Sequence, residues 1–413
     1  MDRCDQLAAC SEEAGRVTRL FLTPPMHDVH ERLRRWMVDV GMKVRIDPVG
    51  NIVGRRFASD SQTSDLQASD LQATRVLLIG SHLDTVPNAG KYDGILGVLV
   101  GLAVVEALAT VSLPFAIDVI GFSEEEGVRY SQPYLGSRAV AGNFDFAWLD
   151  RCDAAGISMR EAVASFGQDS SKIADAAYNA ADVVGYIEAH IEQGPVLERA
   201  GLPVAAVTSI VGQSRLVVRF LGAAGHAGTT PMVPRRDALV GAAKWIQEVQ
   251  QTGVRTEGLR ATVGRISALP NASNVIPDYV ELSLDVRHES NSIRLAAIDG
   301  LLDAGCQIAK SDDLEFSVAH RSDSRSVAVS PRLESILCES IAASGVEPLR
   351  LASGAGHDAV VMGEQFPMAM LFVRHPGGTS HHPDERVDVE DVAVAIDVMV
   401  DFVKRLADQE RVE

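Results

Sequence analysis

Short apolar runs alternate with a helical segment in the first third of the chain. Residues 75 to 79 and 115 to 122 are apolar runs of the length that buried strands have. Between them, the apolar segment from Gly94 to Ala109 is rich in glycine, which is typical of a closely packed buried helix. This strand–helix–strand order predicts a parallel sheet.

Further elements surround this unit. Residues 12 to 40 carry apolar positions at helical spacing, and residues 44 to 54 alternate as a strand does. Near the end of the chain, residues 368 to 373 form an apolar strand and residues 389 to 406 an amphipathic helix. We therefore predict an α/β domain with a mostly parallel central sheet.

The pattern changes in the middle of the chain. Residues 215 to 221 and 281 to 287 alternate like half-buried strands, with helical stretches near 236–251 and 292–308. We predict that residues 212–327 form an α+β sandwich inserted into a larger domain made of residues 1–211 and 328–413.

Length and charge narrow the class of protein. A chain of 413 residues is long enough for two domains. Its net charge of -18 argues against nucleic acid and against an anionic membrane surface as partners. An anionic small substrate would need a local positive pocket in such a protein.

The cysteines and the first residues predict a cytoplasmic location. The five cysteines are scattered, without CxxC spacing, and are expected to be reduced. Cys4 and Cys10 are candidates for surface thiols because they lie near the terminus. The segment Met1–Asp5 contains no apolar signal core.

A tandem duplication separates two predicted strands. Residues 64 to 68, Ser-Asp-Leu-Gln-Ala, are repeated directly as residues 69 to 73. A duplication of this kind between strands is best explained as a tolerated loop insertion, and it suggests no function of its own.

Polar side chains that can bind metals follow the predicted strands. His82 and Asp84 come directly after one strand, and Glu125 and Glu126 follow the next. The whole set lies at predicted strand ends or in loops: His82, Asp84, Asp93, Glu125, Glu126, His190 and His381. Imidazole and carboxylate ligands together suit zinc, manganese, cobalt or nickel, and two such cations can share a carboxylate.

Each of these residues also has a structural explanation when taken alone. His82 resembles a hydrogen-bonded core histidine, Asp93 a helix N-cap, and the acidic run around Glu125 a solvated surface. His190 beside Glu188 resembles a surface pair. The ordered recurrence of such residues at strand ends favours a metal site.

Several motifs resemble those of the co-catalytic zinc aminoacylases and carboxypeptidases. They are Gly80–Val86, Lys91–Gly94, Glu124–Gly127, His190–Glu198, Gly225–Met232, Gly354–Ala359 and Gly378–Glu385. In combination they are similar to the branch of amidases, hydantoinases and carbamoylases. The resemblance extends from about residue 15 to residue 405.

The resemblance implies a site for two divalent metal ions, zinc or manganese, with cobalt or nickel as further options. The implied ligands are His82 and His190 on one ion, Glu126 and His381 on the other, and Asp93 between them. His382 competes with His381, which is favoured because the histidine of the family follows a serine. Asp84 would orient His82, and Glu125 would be the general base.

The inserted domain would serve as lid and dimerisation domain of a homodimer. By resemblance, His226 would polarise the scissile carbonyl from the partner subunit, and Asn274 and Arg287 would hold a substrate carboxylate. A guanidinium suits that role because it binds a carboxylate through two parallel hydrogen bonds. The alternatives are a loop histidine at His226 and a surface salt bridge at Arg287.

Further residues are expected near the substrate. By resemblance, Gln193, Gly356 and His357 would line the same cleft. The stretch Phe372–Gly378 departs from the family pattern because no Asn-rich turn follows Arg374. Arg374 and His375 either add positive charge near the pocket or face solvent.

The resemblance implies hydrolysis of the carbamoyl C–N bond of a small anionic ureido compound, with release of ammonia and carbon dioxide. Allantoate is the favoured substrate, with N-carbamoyl-L-amino acids and β-ureidopropionate as alternatives. An aminoacylase or dipeptidase would use the same metals, but the segment His190–Glu198 argues against it. A metal-binding regulator without activity is disfavoured because the base and every ligand are present.

Overall fold

The structure, a computed structural model, describes residues 1–58 and 75–411. The duplicated segment at residues 64–73 lies outside the described residues. The chain divides into two compact units. The first unit comprises Met1–Thr208 and Ala328–Glu413, and the second unit comprises Ser209–Val327.

Helices and strands alternate along most of the described chain. The helices are α1 (Asp2–Ala8), α2 (Pro24–Asp39), α3 (Ile95–Ala107), α4 (Leu135–Val140), α5 (Met159–Ser165), α6 (Val196–Ala200), α7 (Ala238–Arg255), α8 (Asn291–Ser311), α9 (Pro331–Ala343), α10 (Asp358–Met362) and α11 (Val389–Glu410). The strands are β1 (Lys43–Ile46), β2 (Ile52–Arg56), β3 (Val76–His82), β4 (Ala116–Phe122), β5 (Val183–Ile191), β6 (Val204–Ile210), β7 (Gly212–Leu221), β8 (Gly225–His226), β9 (Arg260–Leu269), β10 (Val275–Ile276), β11 (Tyr279–His288), β12 (Glu315–Ser324), β13 (Val327–Ala328), β14 (Arg350–Ser353) and β15 (Met368–Val373). Short 3-10 helices lie at Phe146–Asp150, Ser170–Ala176 and Ala180–Asp182.

The first unit is built on a sheet whose central strands are parallel. The strand order is β1, β2, β4, β3, β5, β15, β6 and β13, and β14 pairs with β6. Strand β3 runs parallel to β4 and β5, and β15 runs parallel to β5. Strands β1 and β2 pair antiparallel, as do β2 with β4 and β15 with β6. The prediction of a mixed α/β fold with a mostly parallel central sheet is confirmed.

Helix α3 packs closely on this sheet. It is apolar on every side, and most of its residues are buried. A Cβ on Gly97 would overlap the carbonyl oxygen of Ala189 on β5, and one on Gly101 would lie 2.9 Å from Ile79 on β3. Because these positions are glycines, the helix approaches the strands closely and holds the preceding Asp93 near their carboxyl ends.

The helix predicted over residues 12–40 begins only at Pro24. Proline at the start of a helix is favoured because the first backbone N–H groups have no partner within the helix. The residues before it lie along the segment that follows β3. Val17 pairs with Ala89, and the buried Arg19 donates from Nε to the carbonyl oxygen of Leu83 at 2.6 Å.

The single strand predicted over residues 44–54 is a hairpin of β1 and β2. One carboxylate oxygen of Asp47 accepts hydrogen bonds from the backbone N–H groups of Val49 and Asn51. Gly50 has a φ of 88°, a conformation that glycine adopts readily. The turn signal of these residues outweighs the alternation of apolar positions around them.

The second unit is a four-stranded antiparallel sheet with two helices. Its strand order is β12, β7, β11 and β9, and β7 and β11 alternate between buried and half-buried residues. Helices α7 and α8 contribute to a core around the fully buried Trp245, whose Nε1 donates to the carbonyl oxygen of Leu301 at 2.8 Å. Strands β8 and β10 form a separate two-stranded sheet.

Cysteine pairing and helix length bear on the expected environment. The cysteines are unpaired, and Cys4 and Cys10 are buried, so the expectation of surface thiols there is wrong. Both lie in the core that α1 shares with the rest of the first unit. Within residues 1–58 and 75–411, no helix combines the length and the apolar character needed to cross a bilayer.

His30 on α2 is buried in an apolar environment. Its ring stands edge-on to Phe166, with centroids 5.4 Å apart. Within the described part of the chain, neither ring nitrogen has a hydrogen-bond partner. Burial, assisted by the neighbouring cationic groups, lowers the pKa of His30 to about 3. The folded chain therefore keeps this imidazole neutral.

We predict that His30 makes the fold sensitive to acid. Below about pH 6.5 the unfolded chain binds a proton at this histidine that the folded chain does not bind. Stability is therefore lost as the pH falls from about 6.5 towards 3, by up to about 1.4 kcal/mol per pH unit. His30→Leu should flatten this dependence in urea unfolding of the metal-free protein at pH 7 and pH 5.

The matched control is the same substitution at the exposed His320. His320→Leu should leave the difference in unfolding free energy between pH 7 and pH 5 as it is in the unsubstituted protein. Equal pH dependence in His30→Leu and the unsubstituted protein would contradict the assignment.

Candidate metal centre

Side chains from distant parts of the sequence converge at the carboxyl edge of the central sheet. His82 is the last residue of β3, and His190 is the last but one of β5. The other members lie in connecting segments: Asp93 before α3, Glu126 after β4, and His381 between β15 and α11. Their ligand atoms form overlapping groups, and within each group all atoms lie within 4.8 Å of one another.

The carboxylate of Asp93 faces two sets of ligands. Its Oδ1 lies 3.3 Å from Nε2 of His190 and 4.0 Å from Nε2 of His82, and these two nitrogens are 3.5 Å apart. Its Oδ2 lies 3.2 Å from Nε2 of His381, which is 3.4 Å from Oε1 of Glu126. Ligand atoms about 2.1 Å from a tetrahedral cation stand about 3.4 Å from one another. The spacing therefore suits one cation on each side of Asp93.

Main-chain carbonyl groups orient two of the imidazoles. Nδ1 of His82 lies 3.0 Å from the carbonyl oxygen of Asp84, and Nδ1 of His190 lies 2.9 Å from that of Ile191. A carbonyl oxygen only accepts hydrogen bonds, so each Nδ1 carries the proton. Each Nε2 therefore presents a lone pair to the centre of the site, as a metal ligand requires.

The carboxylate of Asp84 contacts His82 and also binds the backbone of the segment that follows β4. Its Oδ1 lies 3.5 Å from Nδ1 of His82, farther than the main-chain carbonyl. Its two oxygens accept hydrogen bonds from the backbone N–H groups of Glu125 and Glu126, at 2.9 and 3.1 Å. Asp84 thus fixes the backbone of the segment that carries both glutamates.

Negative charge accumulates at the site. Burial raises the pKa of Glu125 well above its ordinary value, and the carboxylate of Glu126 raises it further. Burial likewise raises the pKa of Glu126 to about 7. Burial would also raise the pKa of Asp93, but the surrounding imidazoles of His381, His190 and His82 lower it below the ordinary range.

The residues present fit divalent cations. Oδ2 of Asp93 is buried and accepts no hydrogen bond from any described residue, although Nε2 of His381 lies close to it. The donor set combines imidazole nitrogen and carboxylate oxygen, the chemistry that zinc and manganese accept. Cations on both sides of Asp93 would also offset the mutual repulsion of the buried carboxylates.

His381 and His382 are placed differently although they are adjacent. His381 adopts a left-handed conformation with a φ of 57° and turns its ring towards Asp93 and Glu126. His382 is exposed, and its Nδ1 accepts a hydrogen bond from the backbone N–H of Asp384 at 3.2 Å. In the described chain, only the first of the two histidines belongs to a ligand group.

Gln193 and His357 contact candidate metal ligands directly. Nε2 of Gln193 donates to Oδ1 of Asp93 at 3.0 Å and to Oγ of Ser380 at 2.9 Å. The buried ring of His357 packs on that of His190, with centroids 4.4 Å apart. Gln193 therefore restrains the carboxylate of Asp93, a contact that the expected substrate role does not include.

In the second unit, His226 lies next to Asn274. The backbone N–H of Ala227 donates to the carbonyl oxygen of Asn274 at 2.9 Å. Nδ1 of His226 accepts hydrogen bonds from the N–H groups of Gly228 and Thr229, at 3.1 and 3.2 Å. The imidazole therefore carries its proton on Nε2, which makes Nε2 a hydrogen-bond donor.

Arg287 is paired with a carboxylate of its own strand. Its Nε lies 2.9 Å from Oδ1 of Asp285, and its Nη2 lies 3.3 Å from Oδ2. Asp285 also accepts a hydrogen bond from Nε2 of Gln213 at 2.7 Å. About a third of the Arg287 side chain is exposed, 32%. A substrate carboxylate at this position would compete with Asp285 for the guanidinium.

Arg374 and His375 differ from each other in their surroundings. Nε and Nη2 of Arg374 bind the two carboxylate oxygens of Asp391 on α11, at 2.6 and 2.7 Å. His375 is completely buried, so the alternative that it faces solvent is wrong. Burial also lowers the pKa of His375.

Three residues near the site were not identified as functional from the sequence: Ser380, Glu385 and Tyr134. Ser380 accepts a hydrogen bond from Gln193, and Glu385 accepts hydrogen bonds from the backbone N–H groups of Tyr92 and Asp93. Both lie inside the motif Gly378–Glu385, so their place in the motif could have identified them. No sequence pattern could have identified Tyr134, because its placement depends on a left-handed backbone conformation with a φ of 67°.

Comparison with known proteins shows the family to which the chain belongs. The sequence profile of peptidase family M20/M25/M40 matches residues 78–405. The chain is 36% identical to allantoate deiminase of Arabidopsis thaliana, with 97% of this chain and 81% of the relative aligned. It is also 36% identical to N-carbamoyl-L-amino acid amidohydrolase of Geobacillus stearothermophilus, with 97% and 95% aligned. A solved hydantoinase/carbamoylase family amidase from Burkholderia multivorans is 30% identical, has a TM-score of 0.89, and aligns over 98% of this chain and 96% of its own.

We predict that glycine at position 356 is required for activity, because any side chain there would displace Tyr134 from its place beside Glu125. A Cβ on residue 356 would overlap the hydroxyl group of Tyr134 and lie 3.9 Å from Oε1 of Glu125. Gly356→Ala should lower kcat/KM on the order of 100-fold, the cost of a displacement of about 1 Å beside reacting groups.

The same alanine should cost less than about tenfold in a Tyr134→Phe background, because phenylalanine lacks the overlapping oxygen. The measurement is kcat/KM for the four proteins of this cycle, with thermal unfolding to verify that each one folds. Equal costs in both backgrounds would show that Tyr134 does not occupy this space.

Proposed function

Because the chain belongs to peptidase family M20/M25/M40, in its branch of amidases, hydantoinases and carbamoylases, we propose that allantoate is its substrate. The protein is an amidohydrolase that acts on carbon–nitrogen bonds other than peptide bonds. The observation that carries metal-dependent hydrolysis at this site is the convergence of imidazole and carboxylate groups around Asp93, with Glu125 beside them.

The family is metal-dependent, and we propose two divalent cations per subunit, zinc or manganese. His82, His190 and Asp93 would hold one, and Asp93, Glu126 and His381 the other. When bound, such cations lower the pKa of a water molecule and polarise a carbonyl group.

Glu125 is proposed as the general base. Its carboxylate lies within 4.8 Å of ligand atoms of His82 and Glu126, and Asp84 fixes its backbone N–H. It takes a proton from the attacking water and returns it to the departing nitrogen. The carbamoyl C–N bond breaks, and the carbamic acid formed decomposes to ammonia and carbon dioxide.

The second unit is proposed as the lid and dimerisation domain of a homodimer. His226 of the partner subunit would donate from Nε2 to the developing oxyanion, which suits the tautomer that its Nδ1 contacts impose. Asn274 and Arg287 would bind the substrate carboxylate. Arg287 would then release Asp285 to bind the substrate. The loss of this ion pair would reduce the net contribution of Arg287 to the substrate's binding free energy.

Allantoate is favoured over the other ureido compounds by the overall resemblance of the sequence. The relative from Arabidopsis thaliana is named for allantoate, and the relative from Geobacillus stearothermophilus is named for N-carbamoyl-L-amino acids. Hydrolysis of N-carbamoyl-L-amino acids is therefore the second candidate. We expect the enzyme to work in the cytoplasm, in the breakdown of purine-derived ureides.

A substrate panel tests the proposal. Allantoate, N-carbamoyl-L-amino acids, β-ureidopropionate and an acyl amino acid are each incubated with the manganese-loaded enzyme, and ammonia release and acyl cleavage are measured. We expect the highest kcat/KM for allantoate. Glu125→Gln should lower turnover at least about 1000-fold while metal content stays unchanged, as expected for loss of a general base.

If N-carbamoyl-L-amino acids are turned over faster than allantoate, the second candidate function replaces the first. Cleavage of the acyl amino acid without ammonia release from any ureide would reject both. Near-normal turnover by metal-loaded Glu125→Gln would reject the assignment of the base.

A hybrid dimer tests whether His226 acts on the opposite subunit. Subunits with Glu125→Gln and subunits with His226→Ala, each inactive alone, are co-expressed with different affinity tags, and the hybrid is purified through both. One of its two sites then combines an intact Glu125 with an intact His226 from the other chain. We expect about half of the wild-type activity per dimer. A hybrid as inactive as its parents would show that His226 does not act across the interface.

A further inference from the structure

Glu385 links two segments of the site that lie far apart in the sequence. Its carboxylate is buried, and Oε1 accepts hydrogen bonds from the backbone N–H groups of Tyr92 and Asp93, at 2.9 and 3.0 Å. The bonds therefore fix the backbone of the residue whose side chain faces both sets of ligands.

The same residue belongs to the segment that carries His381. The backbone N–H of Glu385 donates to the carbonyl oxygen of His382 at 3.1 Å, which closes a tight turn directly after His381. A movement of Glu385 thus moves the turn beside one ligand and the backbone of another, Asp93. The carboxylate and the backbone N–H of Glu385 thus link the backbone of Asp93 to the turn after His381, and we call this link the Glu385 frame.

Glycine at position 90 makes the close approach possible. A Cβ on Gly90 would overlap the side chain of Glu385, including its carboxylate. The turn before Tyr92 therefore lies directly on Glu385, and its position depends on a residue without a side chain. Gly90 precedes the motif Lys91–Gly94, so the fit brings together two of the motifs noted in the sequence.

The strand histidines, His82 and His190, depend less on the Glu385 frame than His381 does. Nδ1 of His82 and of His190 is held by main-chain carbonyls at the ends of β3 and β5, without help from Glu385. His381 lies in a connecting segment and faces Oδ2 of Asp93 and Oε1 of Glu126. Loss of Glu385 should therefore disturb the side of His381 more than the side of the strand histidines.

We propose that Glu385 is a positioning residue that sets the distance between Asp93 and His381, and thereby the affinity for the cation held by Asp93, Glu126 and His381. This inference rests on the proposed two-cation function. Residues that hold the ligands of a metal in place typically change its affinity 10–100-fold, in order of magnitude, when they are removed.

The experiment is a calorimetric titration of the metal-free full-length protein with manganese. Glu385→Ala should keep one binding event near its wild-type affinity and weaken the other by about 10–100-fold. Glu385→Gln should restore both to within about threefold, because an amide oxygen accepts the same two N–H bonds. Gly90→Ala, which displaces the carboxylate without removing it, should weaken the same event as Glu385→Ala.

Asp237→Ala is the matched control. One carboxylate oxygen of Asp237 also accepts two backbone N–H bonds, from Leu239 and Val240 at 3.0 and 3.3 Å, but it caps α7 in the second unit. This variant should lose thermal stability and keep both manganese affinities. Equal weakening of both events in Glu385→Ala, or a Glu385→Gln variant as weak as Glu385→Ala, would overturn the proposal.

Failure of the inference and failure of the proposed function give different results. If the wild-type protein binds two manganese ions and Glu385→Ala and Gly90→Ala bind them equally well, Glu385 has no positioning role and the proposed function stands. If the wild-type protein binds neither manganese nor zinc, the proposed function is overturned and this inference with it.

Discussion

The arrangement of the site depends on the carboxylate of Asp93, whose two oxygens face different ligands. Oδ1 lies beside the imidazoles of His82 and His190, and Oδ2 lies beside that of His381. A carboxylate can serve both sides only if its position is fixed within a few tenths of an ångström, because metal–ligand distances vary little. The side chain of Gln193 and the close packing of α3 on the sheet provide this restraint.

Burying several carboxylates next to one another is unfavourable, and the scaffold has to withstand their repulsion. Strands β3 and β5 do so because sheet pairing extends to their carboxyl ends, with β4 as far as His82 and with β15 as far as Ile191. Asp84 adds a local restraint by accepting the backbone N–H groups of Glu125 and Glu126. Cations at the site would replace this repulsion by attraction, so metal binding and the stability of this region are expected to be linked.

The central sheet and its buried helix were predictable because long apolar runs have few alternatives to burial. Candidate metal residues were predictable from their chemistry and from their place at strand ends. Features that depend on a single backbone angle were not: the hairpin at Gly50 and the placement of Tyr134. Burial of His375 was also beyond the local pattern, because it depends on packing between segments distant in sequence.

The hydrogen bonds that orient His82 and His190 end on main-chain carbonyl oxygens, which every amino acid possesses. No point substitution at Asp84 or Ile191, other than one that moves the backbone, can remove these acceptors. Asp93 is held by side chains, and substitution can change those. The orientation of the His82 and His190 imidazoles should therefore tolerate substitution better than the position of Asp93 does.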